Sequence, residues 1–402
     1  MKPLSRELCL ICKGARLLCG ESFCPLLRRV NIQQAKKEKL SDLVYGKSPS
    51  VFVGHHSYPN VYVGPMTSLD DKLAGSLDDP HKWYGSSMNE IIELRSLLLR
   101  SKKRHMVKDR NSFTEEVQEI ALASKPVYVE NKFKKKPSYN LSFSSVHQPM
   151  GPSGMLEKLS IAENPKIPRK VERVVSDELK ATESLVDLYG HKLDVYYLTR
   201  IMSSGALGSP DKKRLVPTRW SITAVDDIIS REQMKEIRTY PPINDIMLYS
   251  NTYLDNHFQI LLIPGRWEFE QFEAWAPKTL WTLSASKPVI VQENEPFQGR
   301  TTYAEKQGGG YYASRFAVTE FLHRNRRQAR VIVFREISEG YVVPVGVWEV
   351  RENVRAAFGK KPVCFKTLDG ALKHLDERLK LPVKDYLGRS EALRQKRITD
   401  FI

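Results

Sequence analysis

The sequence predicts an α+β fold: one large mixed core, a small N-terminal four-cysteine zinc module and a flexible C-terminal peptide. Three observations predict it. Helix-period and strand-period segments alternate in an irregular, unrepeated order, which argues against a doubly wound sheet. Of 402 residues, 41% are hydrophobic and 27% charged, a composition that buries a sizeable core. No linker long enough to separate two large domains interrupts the middle of the chain. The expected divisions are 1–35 for the module, 36–385 for the core and 386–402 for the tail.

The elements follow from local pattern. In "VFVGHHSYPNVYVG" two β-prone pieces, Val51–Gly54 and Val61–Gly64, flank a turn-rich hexamer and read as paired strands. "SSMNEIIELRSLLLRSKKRH" places Ile91, Leu94 and Leu98 on one helical face, with Ser86 or Ser87 as cap and a basic end that suits the helix dipole. "SFTEEVQEIALAS" is a second helix, and "SSVHQPMGPSGM" a loop by its Pro, Gly and Ser content. A helical pattern from Pro168 to Ser204 stops at "SSGALGSPDKKR". Strands are expected at "HFQILLIP", "WEFEQFEAW", "KPVIVQE" and "RVIVFREI", and helices at "YYASRFAVTEFLHRNRRQ" and "TLDGALKHLDERL". Cys364, alone in "KKPVCFKTL", is expected to be a small core residue.

The first 24 residues hold Cys9, Cys12, Cys19 and Cys24, spaced C-x2-C-x6-C-x4-C. Four thiolates in a segment too short for a core are a natural ligand set for one structural, tetrahedral zinc ion. Metal then replaces the missing core, so folding and binding are one event. An iron–sulfur cluster is the rival, although the spacing fits neither common ferredoxin pattern.

The formal charge is +16, from 63 Lys+Arg against 47 Asp+Glu. Such a surplus favours a polyanionic partner, because each cation near a phosphate releases condensed counterion. There is no stretch of roughly 20 apolar residues and no uninterrupted apolar run of a secretory signal, so a cytoplasmic, non-membrane protein is expected.

Familiar catalytic spacings (a phosphate loop, H-E-x-x-H, a G-x-S-x-G elbow) do not occur. Asp226, Asp227, Glu268, Glu270 and Glu273 are the carboxylates considered for a nuclease metal, although adjacent aspartates on a helix point apart. His55 and His56 are expected as polar residues of the turn between the two strands, with a catalytic or phosphate-contacting histidine as the alternative; neighbours that face opposite sides could not easily serve one metal. Gly308, Gly309 and Gly310 precede a helix whose free amides could meet an anion, with Arg315 on its first turns. Arg324, Arg326, Arg327 and Arg330 follow near its far end. Arg219 beside Trp220 suits gripping a phosphate while stacking a base, against the alternative of a packing tryptophan.

Three stretches, "GHHSYPNVYVGP", "LVPTRWSITAVDD" and "GGGYYASRFAVTEFL", resemble those of the archaeal NreA family of DNA-repair proteins. With the cysteine module and the terminal octamer, the resemblance spans nearly the whole chain. It implies a role in repair of DNA damage and a link to the sliding clamp, PCNA, through the tail. The octamer "QKRITDFI" resembles the PCNA-interacting peptide: Gln395 for a polar pocket, Ile398 and Phe401 for an apolar one, with Ile402 departing from the usual terminal aromatic. The expected function is a DNA-binding repair factor recruited to the clamp. The alternatives are a nuclease or other nucleotide-processing enzyme on damaged DNA, and a protein-interaction platform.

Elemental analysis of the purified chain is expected to find about one zinc per molecule, falling when Cys9 and Cys12 become serine. Stoichiometric iron with a brown colour selects the cluster instead.

Overall fold

The computed structural model describes residues 40–139, 150–277, 282, 287–341 and 344–393. Cys9, Cys12, Cys19, Cys24, Gln395, Ile398, Phe401 and Ile402 lie outside the described residues. Among the described residues the chain is mixed α and β, with two six-stranded sheets and eleven α-helices, and no helix long and apolar enough to cross a membrane. They divide into two compact units, 40–229 and 230–393. The division falls inside a helix, Thr218–Ile237, so no loop or change of composition announces it.

In the first unit the strands are β1 (Leu43–Ser48), β2 (Ser50–Val53), β3 (Asn60–Ser68), β4 (Leu98–Met106), β5 (Val127–Phe133) and β6 (Ser153–Ile161). Their order is β1-β5-β6-β4-β3-β2, with β4 and β6 parallel and the other pairs antiparallel. The two edges of this sheet are consecutive in the chain. One segment supplies both, so the sheet curls back toward itself. β5 shows the period of two that such a sheet requires: Val127, Val129, Asn131 and Phe133 are buried, while Glu130 and Lys132 are exposed. Asn131 is polar in an apolar row. Its amide is satisfied inside, accepting from Ser101 Oγ at 3.1 Å and donating to Thr67 Oγ1 at 3.0 Å.

The helices of this unit are α1 (Pro80–Trp83), α2 (Met88–Ser96), α3 (Ser112–Leu122), α4 (Arg169–Ser176), α5 (Ala181–Gly190), α6 (Val195–Ser203) and the start of α7 (Thr218–Ile237). α2 opens on a reciprocal capping box between Ser87 and Glu90. It stops at Ser96, and the residues expected to extend it become β4, laddered to β3 from Ser68↔Leu98 to Asn60↔Met106. Helical spacing of Ile91, Leu94 and Leu98 is local, whereas the strand partner lies 30 residues upstream in the register Ser68↔Leu98; tertiary pairing overrides the periodicity. Arg200 of α6 donates to the carbonyls of Ala121 at 2.9 Å and Ala123 at 2.7 Å, serving the C-terminal end of α3, and to that of Pro49, between β1 and β2, at 2.5 Å.

The second unit carries β7 (Ile246–Tyr253), β8 (Asn256–Ile263), β9 (Glu268–Trp275), β10 (Val289–Glu295), β11 (Arg330–Ile337) and β12 (Val363–Phe365), in the order β10-β9-β11-β8-β7-β12. β7 and β8 form a hairpin through Leu254 (φ 46°) and Asp255 (φ 58°), a left-handed pair without the glycine that usually advertises it. β11, parallel to β9 and antiparallel to β8, is buried at all eight positions. Val331 and Val333 face one apolar cluster with α8 (Gly309–Asn325) and α9 (Trp348–Phe358); Ile332 and Phe334 face another with α10 (Leu368–Asp376) and α11 (Val383–Leu387). Helices on both faces explain its uninterrupted apolar run. Cys364 sits on the edge strand β12 and is exposed, not core.

Gly64 tests the close packing of β3. A Cβ there would lie 1.9 Å from the Ser101 carbonyl oxygen, whereas one at Gly190, the last residue of α5, meets nothing within 4 Å. Gly64→Ala is expected to lower stability in chemical denaturation by about 3 kcal/mol, and Gly190→Ala to leave it unchanged or raise it by up to about 1 kcal/mol.

Candidate nucleic-acid interface

In the first unit the β2–β3 turn brings two of the distinctive stretches together. The turn is held by Gly54 N–H donating to Tyr62 O at 2.8 Å and Asn60 N–H donating to Ser57 O at 2.9 Å, with Ser57 at φ 62°. Thr218, at the start of α7, accepts from Val53 N–H at 2.9 Å and shares a hydrogen bond with Ser203 Oγ at 2.9 Å. That anchor sets Trp220, two residues into the helix, against Tyr58 of the turn, with ring centroids 5.0 Å apart and planes at 52°. Both rings remain open to solvent, Tyr58 by 42% and Trp220 by 45%, so Trp220 is not the buried packing residue that was the alternative reading. Arg219 beside it is exposed.

The adjoining outer face of the sheet carries more of the same chemistry. Tyr62 pairs across the ladder with Arg104, and Asn60 with Met106; Tyr62, Arg104 and Met106 are exposed. Directly opposite residues share a face, so a tyrosine and an arginine stand side by side. His55 and His56 lie in the turn between the strands, as expected, and their rings meet at 4.1 Å. Strand alternation does not apply outside the ladder. Sequence reasoning singled out Arg219 and Trp220 but missed Tyr58, Tyr62 and Arg104. Their one signal was membership of, or pairing with, "GHHSYPNVYVGP".

The charged groups proposed for chemistry in the second unit are instead partnered inside it. Arg315 is 1% exposed; its Nη1 lies 2.5 Å from Glu295 Oε2 and its Nη2 donates to Ser230 Oγ at 3.0 Å. Gly308 precedes α8 at φ 54°, and Gly309 and Gly310 form its first turn. A Cβ on Gly310 would lie 2.8 Å from Glu273 Oε1, so the protein's own carboxylate closes on the helix start. The structure thus brings the glycines to a carboxylate and turns Arg315 inward, while Arg219 belongs to the other unit. Arg324 and Arg326 are exposed, but Arg330 is buried at 3.1 Å from Glu268.

Glu268, Glu270 and Glu273 do not converge as nuclease ligands. By strand alternation Glu268 and Glu270 share the face of Phe272, and Glu273 the opposite face with Phe269. Glu270 accepts from Ser390 Oγ at 2.5 Å, Glu391 N–H at 2.7 Å and Gln292 Nε2 at 2.7 Å, and burial pushes its carboxyl above the usual range. Glu273 pairs with Arg335 at 2.8 Å. Asp226 is fully buried in α7 and Asp227 half-buried, as adjacent helical positions dictate. Among the described residues there is no group of three or more His, Cys, Asp or Glu arranged to hold a metal.

Arg335 also reaches Glu349 of α9 at 3.4 Å, while Asn353 donates to Glu349 Oε1 at 2.8 Å. Burial dominates over these partners and pushes the Glu349 carboxyl up to about 7.

Two family profiles match the chain: archaeal Nre, N-terminal, over residues 18–282, and archaeal Nre, C-terminal, over residues 295–401. The chain is 41% identical over 376 residues to DNA repair protein NreA of Archaeoglobus fulgidus, covering 92% of this chain and 93% of the relative. It is 37% identical to DNA repair protein NreB of the same organism, covering 97% of each. DNA repair protein NreA of Haloferax volcanii is 36% identical, covering 93% of each. No solved structure matches the chain.

The Glu349 shift predicts a pH dependence. A carboxyl whose folded pKa exceeds its unfolded value stabilises fully below the unfolded value, near 4.5, and that contribution is lost as pH rises through about 7. By calorimetry, the fall in Tm between these pH values and mildly alkaline solution is expected to be smaller in Glu349→Gln than in the native chain.

Proposed function

Because the chain belongs to the archaeal Nre family, we propose that it is a DNA-damage repair factor that binds DNA and is recruited to the PCNA sliding clamp by its C-terminal peptide. The observation that carries the reading is identity of 36–41% with proteins named for DNA repair, over more than nine-tenths of the chain. The +16 charge supports a contact with phosphates, which position a protein on DNA without reading its sequence. The exposed arginines Arg104 and Arg219 beside open aromatic rings support the same reading. Recruitment rests on the spacing of Gln395, Ile398 and Phe401, which suits a single 3₁₀ turn entering a clamp pocket. Lys396 and Arg397 would stay solvated and raise the association rate with an acidic rim. Zinc held by Cys9, Cys12, Cys19 and Cys24 would serve as a structural substitute for a core.

Calorimetry of the full-length protein with its cognate clamp tests recruitment. Binding on the micromolar scale is expected, lost in a chain ending at Arg394 and weakened by about 2–4 kcal/mol in Phe401→Ala. Equal binding with and without the tail, or none in either case, removes the clamp reading. The DNA contact is expected to weaken steeply with added salt. Retention that is equal at low and high salt removes that part.

A further inference from the structure

We infer that Tyr58 and Trp220 form a stacking platform for an unpaired base, so that the first unit prefers single-stranded to duplex DNA. The inference rests on the DNA contact proposed above and names the form of DNA that this surface takes. Three observations carry it.

Two large aromatic rings touch each other while each leaves more than two-fifths of its surface in water. Elsewhere in the same unit a tryptophan, Trp83, is 1% exposed, so the fold has room to bury such a ring and does not bury Trp220. At 52° the two rings are not stacked face to face, and their π-faces are not closed against one another.

The platform is also set rigidly. The backbone that carries Trp220 is tied down by the Thr218 link to Val53 and Ser203, and the backbone that carries Tyr58 by the turn bonds around Ser57. Rings carried on anchored backbone and already in mutual contact lose less freedom on binding.

Finally, cations stand beside the aromatic residues of this surface. Arg219 adjoins Trp220 in sequence, and Arg104 stands opposite Tyr62 on the neighbouring face. Stacking on an aromatic ring requires a free base face, which a single strand or a flipped nucleotide offers and an intact duplex hides. Arginines contribute to both forms through phosphate. The rings contribute only to the unpaired one.

The test uses full-length protein and fluorescence anisotropy at one fixed salt concentration. The probes are a labelled oligothymidine of about 20 nucleotides, longer than the site size of a typical single-strand-binding surface, and a duplex of equal length. The native chain is expected to bind the single strand more tightly. Trp220→Ala and Tyr58→Ala are each expected to weaken single-strand binding by roughly tenfold and duplex binding by less than about twofold. Trp220→Phe, which keeps a π-face, is expected to retain most of the affinity. Native binding to both DNAs that neither alanine variant changes overturns the platform and leaves the DNA contact standing. Equal losses on single strand and duplex also overturn it, because stacking on an unpaired base cannot weaken a duplex. Failure of the native chain to bind either DNA overturns both readings.

Discussion

Charge taken out of water dictates the architecture of the second unit. A carboxylate stripped of its hydration costs several kcal/mol unless a cation and hydrogen bonds replace the lost water. Glu295 meets this through Arg315, Glu268 through Arg330, and Glu273 with Glu349 through Arg335. Each pair ties a helix or a strand to the sheet at one register. Arg335 alone joins β11 to β9, to Asn256 of β8 and to α9. Replacement by apolar residues could leave net stability unchanged, but loss of one partner strands a buried charge, at about 3–5 kcal/mol. The constraint therefore fixes geometry more than it adds stability. It also decides which acidic residues are available for chemistry, and those of β9 are committed to structure.

The first unit is organised by a different requirement, closure of its sheet. β1 and β2 are consecutive in the chain and form the two edges, so the sheet curls back toward itself. Interior space is then tight. Gly64 lies directly against the Ser101 carbonyl, and Asn131 must find its hydrogen bonds from Thr67 and Ser101. What closure leaves outside is the outer face of β3 and β4 and the turn that precedes β3. Tyr58, Tyr62, Arg104 and Trp220 collect there because alternation directs every second side chain outward and Thr218 pins α7 beside the turn. Chemistry suited to nucleic acid thus follows from the same rule that fills the interior with valine and leucine.

Local pattern in the sequence determined much of this. The paired strands around "GHHSYPN", the strands β8 to β11, the helices α3, α8 and α10 and the helical stretch from Pro168 to Ser204 are legible, because periodicity and caps are properties of neighbouring residues. The family is legible as well, since its distinctive stretches are contiguous. Tertiary structure alone decided the rest. Leu98–Met106 is a strand because β3 is there to pair with it; Cys364 is exposed on an edge strand, β12; and the boundary between the two compact units lies within α7, where no local signal marks it. Arg315 and Arg219 look alike in sequence, each beside an aromatic residue near a helix start. One is buried on Glu295 and the other stands in solvent next to an open ring, because desolvation and pairing depend on residues distant in the chain, and no window of neighbours contains them.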